Sequence, residues 1–316
     1  MKEDFSGAIS ILKSVFPSRE LSDEGALTHD FIVKSLESGH QSFDLNDFNV
    51  FKNDVHKVEN RMYEFICQLN NIESDGSYVS LYRHEMNANA IGNYVVFDEL
   101  LIYTIISFYS TVFSLVDDNS NENLERCIKT TYVLLDLQGI KREIGHYNTD
   151  ELQKMLGSFS DIMMHRTMDC VWVTWAFLVS HELYHIQKGS PYNSYEEELE
   201  ADAYAYKTII NLIMTQKDGK VPEDIKVFYE ETYLAPIMLF NYFELLDIYC
   251  NLCGREVLYS SHPSPKERQN QIFNLFDDYI PDDMETFMGN EVLNTFLEIS
   301  DTLKSQISYK KKLGKI

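Results

Sequence analysis

A predominantly helical α+β domain with a small sheet is what this sequence predicts, and three observations lead there. Long stretches place apolar residues at helical spacing. Only two short runs, near Tyr78 and near Tyr94, have the alternation or β-rich composition of strands. No linker-like tract and no internal repeat divides the chain, whose 316 residues allow one large domain or two ordinary ones.

Residues 1–75 read as a helical N-terminal region and 76–316 as the main domain, together one compact body. Within the first region, Ile9, Leu12, Val15 and Phe16 have helical spacing, and 57–70 (KVENRMYEFICQLN) forms an amphipathic helix. Asp75-Gly76 is a turn signal. After it, Tyr78, Ser80 and Tyr82 alternate with Val79, Leu81 and Arg83, as in a strand. Gly92-Asn93 turns the chain into Tyr94-Val95-Val96-Phe97, a second strand. A helix over 99–116 follows, then a polar loop over 117–125. Residues 122–170 read as helical, with interruptions at Gly139 and Gly157. Met168–Gln187 is one helix, apolar on every side at VWVTWAFLV, and therefore central. KGSPYNS breaks the chain. Ser194 with Glu197 is a capping-box signature, starting a helix that runs to about Met214. Helices over 225–250, 265–278 and 284–306 close the fold, and the basic tail YKKKLGKI is expected to fray.

Composition excludes several classes. Lys plus Arg is 27 and Asp plus Glu is 50, a net charge of −23. A surface this acidic gains nothing from counterion release on a polyanion, so nucleic acid is not an expected partner. Hydrophobic residues at 44% and charged residues at 24% are globular values, which exclude disorder and fibrous classes. Glu3 and Asp4 stand where a signal peptide carries positive charge. The five cysteines are few and odd in number, so reduced thiols and a cytoplasmic location are expected. Cys250 and Cys253 form a single CxxC in an aromatic helical stretch and read as buried structural thiols. Leu100–Val116 is uncharged, but it is short for a span and rich in Ser, Thr and Tyr, with acids at both ends. It reads as a core helix, and no stable membrane insertion is expected.

The chemistry lies in His181-Glu182-Leu183-Tyr184-His185, an HExxH on the central helix. Its histidines, at i and i+4, share one face about a turn apart, and so can bind one metal ion. Glu182 is placed as general base for a water that the metal activates. Ionisable groups in so apolar a helix are costly without a function or compensating partners. A hydrolytic zinc site needs a third protein ligand. Lys188 and Pro191 stand where the metzincin pattern needs Gly and His, so that form is excluded. The next helix offers Glu198 and Asp202 at i and i+4. One can ligate while the other accepts a ring N–H from a liganding histidine. Glu197 and Glu200 are lesser candidates. Ala201 and Ala205 allow close packing there.

HELYH followed by Glu-Leu-Glu-Ala-Asp resembles the gluzincin metallopeptidases of the CaaX prenyl protease 1 and HtpX type, with HExxH and then ExxAD on a following helix. The resemblance implies a zincin-like core with one Zn²⁺ per chain held by His181, His185 and Glu198. Glu182 would be the base, with Asp202 behind the ligands. Asn87–Leu101 looks like that family's edge-strand motif. It implies that Asn87, Ala88, Tyr94, Val95 and Val96 align an extended substrate by β-augmentation. His262-Pro263 with Arg268 resembles the family's His-Pro and following Arg, implying a site histidine that stabilises the oxyanion and an anchoring arginine. Tyr204 and Tyr206 are further oxyanion donors to consider, Tyr184 less so. Soluble intracellular gluzincins with the same motifs include the Lit and ImmA/IrrE types, and size and solubility suit the Lit type.

The expected function is therefore a zinc endopeptidase acting on a specific intracellular protein or peptide, with an activating or inhibitory protein partner to restrict it. The alternative is a protein-binding or sensor module on a metallopeptidase-like scaffold.

Overall fold

The computed structural model describes residues 59–73, 77–81, 88–91, 94–118, 120–136, 161–189, 194–220, 230–254, 262–279 and 288–314. The helix expected around Ile9–Phe16, the interruptions at Gly139 and Gly157, and Asn87 lie outside them. The described residues are mostly helical. Helix α1 covers 59–69. Strands β1 (Ser77–Leu81), β2 (Ala88–Ile91) and β3 (Tyr94–Asp98) form one sheet. Helices α2 (Glu99–Asp117), α3 (Asn121–Asp136), α4 (Asp161–Lys188) and α5 (Tyr195–Lys217) follow. A 3₁₀ turn at Glu230–Leu234 leads into α6 (Ala235–Leu252), then α7 (Pro265–Tyr279) and α8 (Met288–Lys312).

Helix α4 is the axis of the molecule, as its all-round apolarity requires. Val173, Trp175, Ala176, Phe177, Val179 and Ser180 are all buried, and α2, α5, α6 and the sheet pack around them. The sheet joins through aromatics. Tyr78, Val95, Phe97 and Ala88 are buried, and Tyr78 and Phe97 pack their rings against Trp175. Trp175 Nε1 donates to the Tyr78 hydroxyl at 2.9 Å, which satisfies the indole N–H inside the core. Helix α1 contributes Met62, Tyr63, Ile66 and Cys67 to this same core, so the end of the expected N-terminal region belongs to the main body.

The uncharged segment is a core helix. In α2, Leu101, Ile105, Phe108, Tyr109, Val112 and Phe113 are buried, and so are Ser107, Ser110 and Thr111. Its hydroxyls find partners in protein: Thr111 donates to the Ser107 carbonyl at 2.8 Å and Ser110 to Thr167 Oγ1 at 3.4 Å. Among the described residues no helix is long and apolar enough to cross a membrane.

Several boundaries differ from expectation, each for a local reason. Helix α3 starts at Asn121, inside the expected loop, because Ser120 Oγ accepts the Asn123 N–H at 3.3 Å and caps it. Helix α6 starts at Ala235 because Pro236, lacking an N–H, fits only a first turn. The basic tail stays helical to Lys312, with the Lys311 ammonium 5.7 Å from the Tyr132 ring centre and 5.2 Å from that of Tyr249. All five cysteines are free; Cys250 is buried and Cys253 half-buried.

The largest correction concerns the sheet. The strand order is β1-β3-β2, with β3 parallel to β1 and antiparallel to β2. The strand expected at the edge, Tyr94–Phe97, is therefore central. Val95 pairs with both Tyr78 and Ala90, and Val96 with both Val79 and Asn89. Side-chain composition does not show which neighbours a strand acquires; among the described residues β2 lies at an edge of the sheet, beside α4.

One buried hydroxyl ties three helices. Tyr109 Oη meets Thr174 Oγ1 at 2.7 Å and donates to the Ala235 carbonyl at 2.8 Å. Tyr109→Phe removes both bonds and lowers unfolding stability by about 1–3 kcal/mol, measurable by denaturant titration.

Candidate metal centre

Helix α4 carries His181, Glu182 and His185 near its C-terminal end, and all three are buried. Helix α5 lies against α4, its contact made close by the fully buried Ala201 and Ala205. The cap that starts α5 is the one expected: Ser194 is extended and its side chain accepts the Glu197 N–H at 3.1 Å. Starting the helix there places Glu198 and Asp202 on the α4-facing side, buried.

His181, His185 and Glu198 converge, offering ligand atoms that all lie within 4.8 Å of one another. His181 Nε2 lies 3.1 Å from His185 Nε2 and 3.3 Å from Glu198 Oε2, and His185 Nε2 lies 3.5 Å from Glu198 Oε1. Ligands about 2.0–2.1 Å from a shared ion in a tetrahedral array stand about 3.3 Å apart, so these separations fit one metal ion. Glu198 Oε1 makes no hydrogen bond although imidazole nitrogens surround it, which suits an atom meant for a cation. Two imidazoles and a carboxylate form a borderline-soft donor set. A buried His181, His185 and Glu198 cluster able to hold a metal ion is thus present.

Behind the cluster, Asp202 fixes His181. Its Oδ1 lies 3.0 Å from His181 Nδ1, and since a carboxylate only accepts, the proton sits on Nδ1 and Nε2 faces the cluster. Arg268 holds Asp202 in a fork, Nε to Oδ2 at 2.7 Å and Nη2 to Oδ1 at 2.6 Å. The guanidinium also stands 4.8 Å from the Phe240 ring centre. These contacts set the protonation of the cluster. Burial opposes charge on Asp202, but Arg268 beside it holds its pKa below the usual carboxylate value. Burial works against charged His181 too, yet its bonds to Asp202 and Glu198 carry it up to about 9. Glu198 resists burial through its contact with His181 and falls to about 2. His185 goes the other way, lowered by burial and by the charge of His181.

Glu182 faces the same region. Burial raises its pKa, partly offset by His181 and by the backbone N–H of Ala90, which hydrogen-bonds the carboxylate. That bond joins the edge strand β2 to the HExxH helix, a link with no sequence signal. His262 stands at the rim, its side chain 48% exposed, with Nε2 3.3 Å from Glu198 Oε1. The turn after it is pinned. Glu267 accepts from the Ser264 N–H at 2.8 Å, the Ser264 hydroxyl at 2.7 Å and the Tyr195 hydroxyl at 2.8 Å. Ser264-x-x-Glu267 has capping-box spacing, a signal that sequence reasoning missed; the tie to Tyr195 leaves no local signal.

The other sequence candidates divide clearly. Glu200 lies on the exposed side of α5, accepting from Tyr184 and, at 3.4 Å, from Lys188, away from the metal ligands. Tyr206 is fully buried in the core near Tyr233. Tyr204 packs its ring 5.5 Å from that of Tyr184. Ala88 is a buried edge-strand residue, whereas Tyr94, Val95 and Val96 lie on the central strand.

Removing the guanidinium frees Asp202 and through it His181. Arg268→Ala should weaken metal affinity by about 10–100-fold, measured by competition with a chelating indicator; unchanged affinity would show that the ligand is held without it. Compared with known proteins, the chain matches no family model, no curated protein and no solved structure.

Proposed function

We propose that this chain is a zinc-dependent endopeptidase with a zincin-like arrangement, His181, His185 and Glu198 holding the ion and Glu182 acting as base. The observation that carries the reading is Glu182 itself. A metal-binding scaffold needs the three ligands; it does not need a fourth, buried carboxylate one residue from a ligand, with its pKa raised by burial. The resemblance of HELYH and ELEAD to gluzincins points the same way.

A zinc ion held there would supply Lewis acidity and make a bound water far more acidic. The residues supply the rest. Asp202 and Arg268 keep His181 in its ligating tautomer. Glu182 takes a proton from the attacking water as its oxygen bonds to the peptide carbonyl carbon. It then delivers that proton to the amide nitrogen as the C–N bond breaks, so that one peptide bond and one water become an acid and an amine. A carboxyl whose pKa burial raises is suited to this double role. His262, at the open rim, is placed to donate to the carbonyl oxygen as negative charge develops there. An extended peptide would add to β2, whose Ala90 N–H already touches the base. The substrate backbone and the base are then fixed by the same strand.

Glu182→Gln keeps the shape and removes the base. The variant should bind metal as wild type does and lose cleavage of any peptide that wild type cuts, by about 10²-fold or more, in a chromatographic cleavage assay. Retained cleavage would remove Glu182 from the mechanism. Metal binding with no cleavage by wild type, across a diverse peptide library, would favour a protein-binding module.

A further inference from the structure

His181 has a carboxylate behind it, and His185 at first sight has none. Its Nδ1 is buried and makes no hydrogen bond. Facing it at 3.9 Å is Glu197 Oε1, also buried and without a hydrogen bond. Two complementary polar atoms orphaned beside each other are costly, and each is the other's remedy. Chemistry sets which is donor. His185 Nε2 points into the cluster, 3.1 Å from His181 Nε2, and a ligating nitrogen must present its lone pair. The proton of the neutral ring therefore belongs on Nδ1, and the carboxylate of Glu197 can accept it.

The backbone explains why Glu197 is available. It is the third residue of α5, where Ser194 takes up its N–H. In a full capping box the glutamate side chain turns back to the cap. Here Oε1 is turned instead toward α4, and the Glu197 side chain is 15% exposed. Consecutive residues of one helix turn thus meet the two faces of His185. Glu198 Oε1 lies 3.5 Å from Nε2, and Glu197 Oε1 lies 3.9 Å from Nδ1.

We infer that Glu197 is a positioning residue of the metal centre, accepting the His185 Nδ1–H when His185 ligates, as Asp202 does for His181. The inference rests on the zinc reading proposed above. Each histidine of the HExxH then has its own carboxylate, both supplied by α5, so the register of α5 against α4 orients both rings at once.

The test compares Zn²⁺ binding by the full-length wild type, Glu197→Ala and Glu197→Gln, using a competing chelating indicator. Imidazole ¹⁵N–¹H spectra of the zinc-loaded proteins report the ring protons directly. The expected result is a 10–100-fold loss of affinity in Glu197→Ala with partial recovery in Glu197→Gln, whose amide oxygen still accepts. The His185 Nδ1–H signal should shift or broaden in Glu197→Ala while that of His181 stays. A merely structural role at the helix start would not move one ring proton and spare the other. Circular dichroism checks that both variants fold. Affinity in Glu197→Ala within twofold of wild type, with an unmoved His185 signal, would overturn the assignment and leave the zinc site standing. No zinc uptake by wild type would overturn the site and the assignment together.

Discussion

Lone pairs pointed at one another inside a protein repel unless a proton or a cation lies between them. That constraint governs the heart of this molecule. Two imidazole nitrogens and a carboxylate meet at 3.1–3.5 Å in a buried space between α4 and α5. Among the side chains, the acidic partners of His181 hold its pKa up to about 9. A divalent ion would join the same three ligands, and its binding would release any proton they share.

The rest of the structure can be understood as support for that convergence. Helix α4 must be rigid, and it is sheathed by α2, α5, α6 and the sheet. Helix α5 must approach closely, and Ala201 and Ala205 permit it. Asp202 must not move, and Arg268 on α7 grips it while resting on Phe240 of α6. Four helices thus contribute to the placement of one imidazole. The rim is less enclosed: His262 is half exposed, beside a turn pinned by Glu267, and β2 lies at the sheet edge.

Much of this was legible in the sequence because helical spacing translates directly into a shared face. HExxH fixed the two rings, and Glu198 with Asp202 at i and i+4 fixed the acids, before any fold was known. Spacing alone left open which of Glu198 and Asp202 ligates; the gluzincin resemblance put Asp202 behind the ligands, and Asp202 Oδ1 lies 3.0 Å from His181 Nδ1. The sheet was less legible. The Tyr94–Phe97 run reads equally well as central or edge, since strand order depends on contacts between segments that periodicity does not encode. Links such as Ala90 to Glu182 and Arg268 to Phe240 join residues far apart in the chain and leave no local trace. Glu197 stood only as a lesser ligand candidate, because its place in a capping-box pattern already offered a sufficient explanation.

The decisive measurement is zinc stoichiometry by elemental analysis on wild type, His185→Ala and Glu198→Ala, each purified without chelator. The proposed metal centre should give about one zinc per wild-type chain, lost or sharply weakened in both variants. Wild-type protein that carries no zinc and takes none up on addition would contradict it.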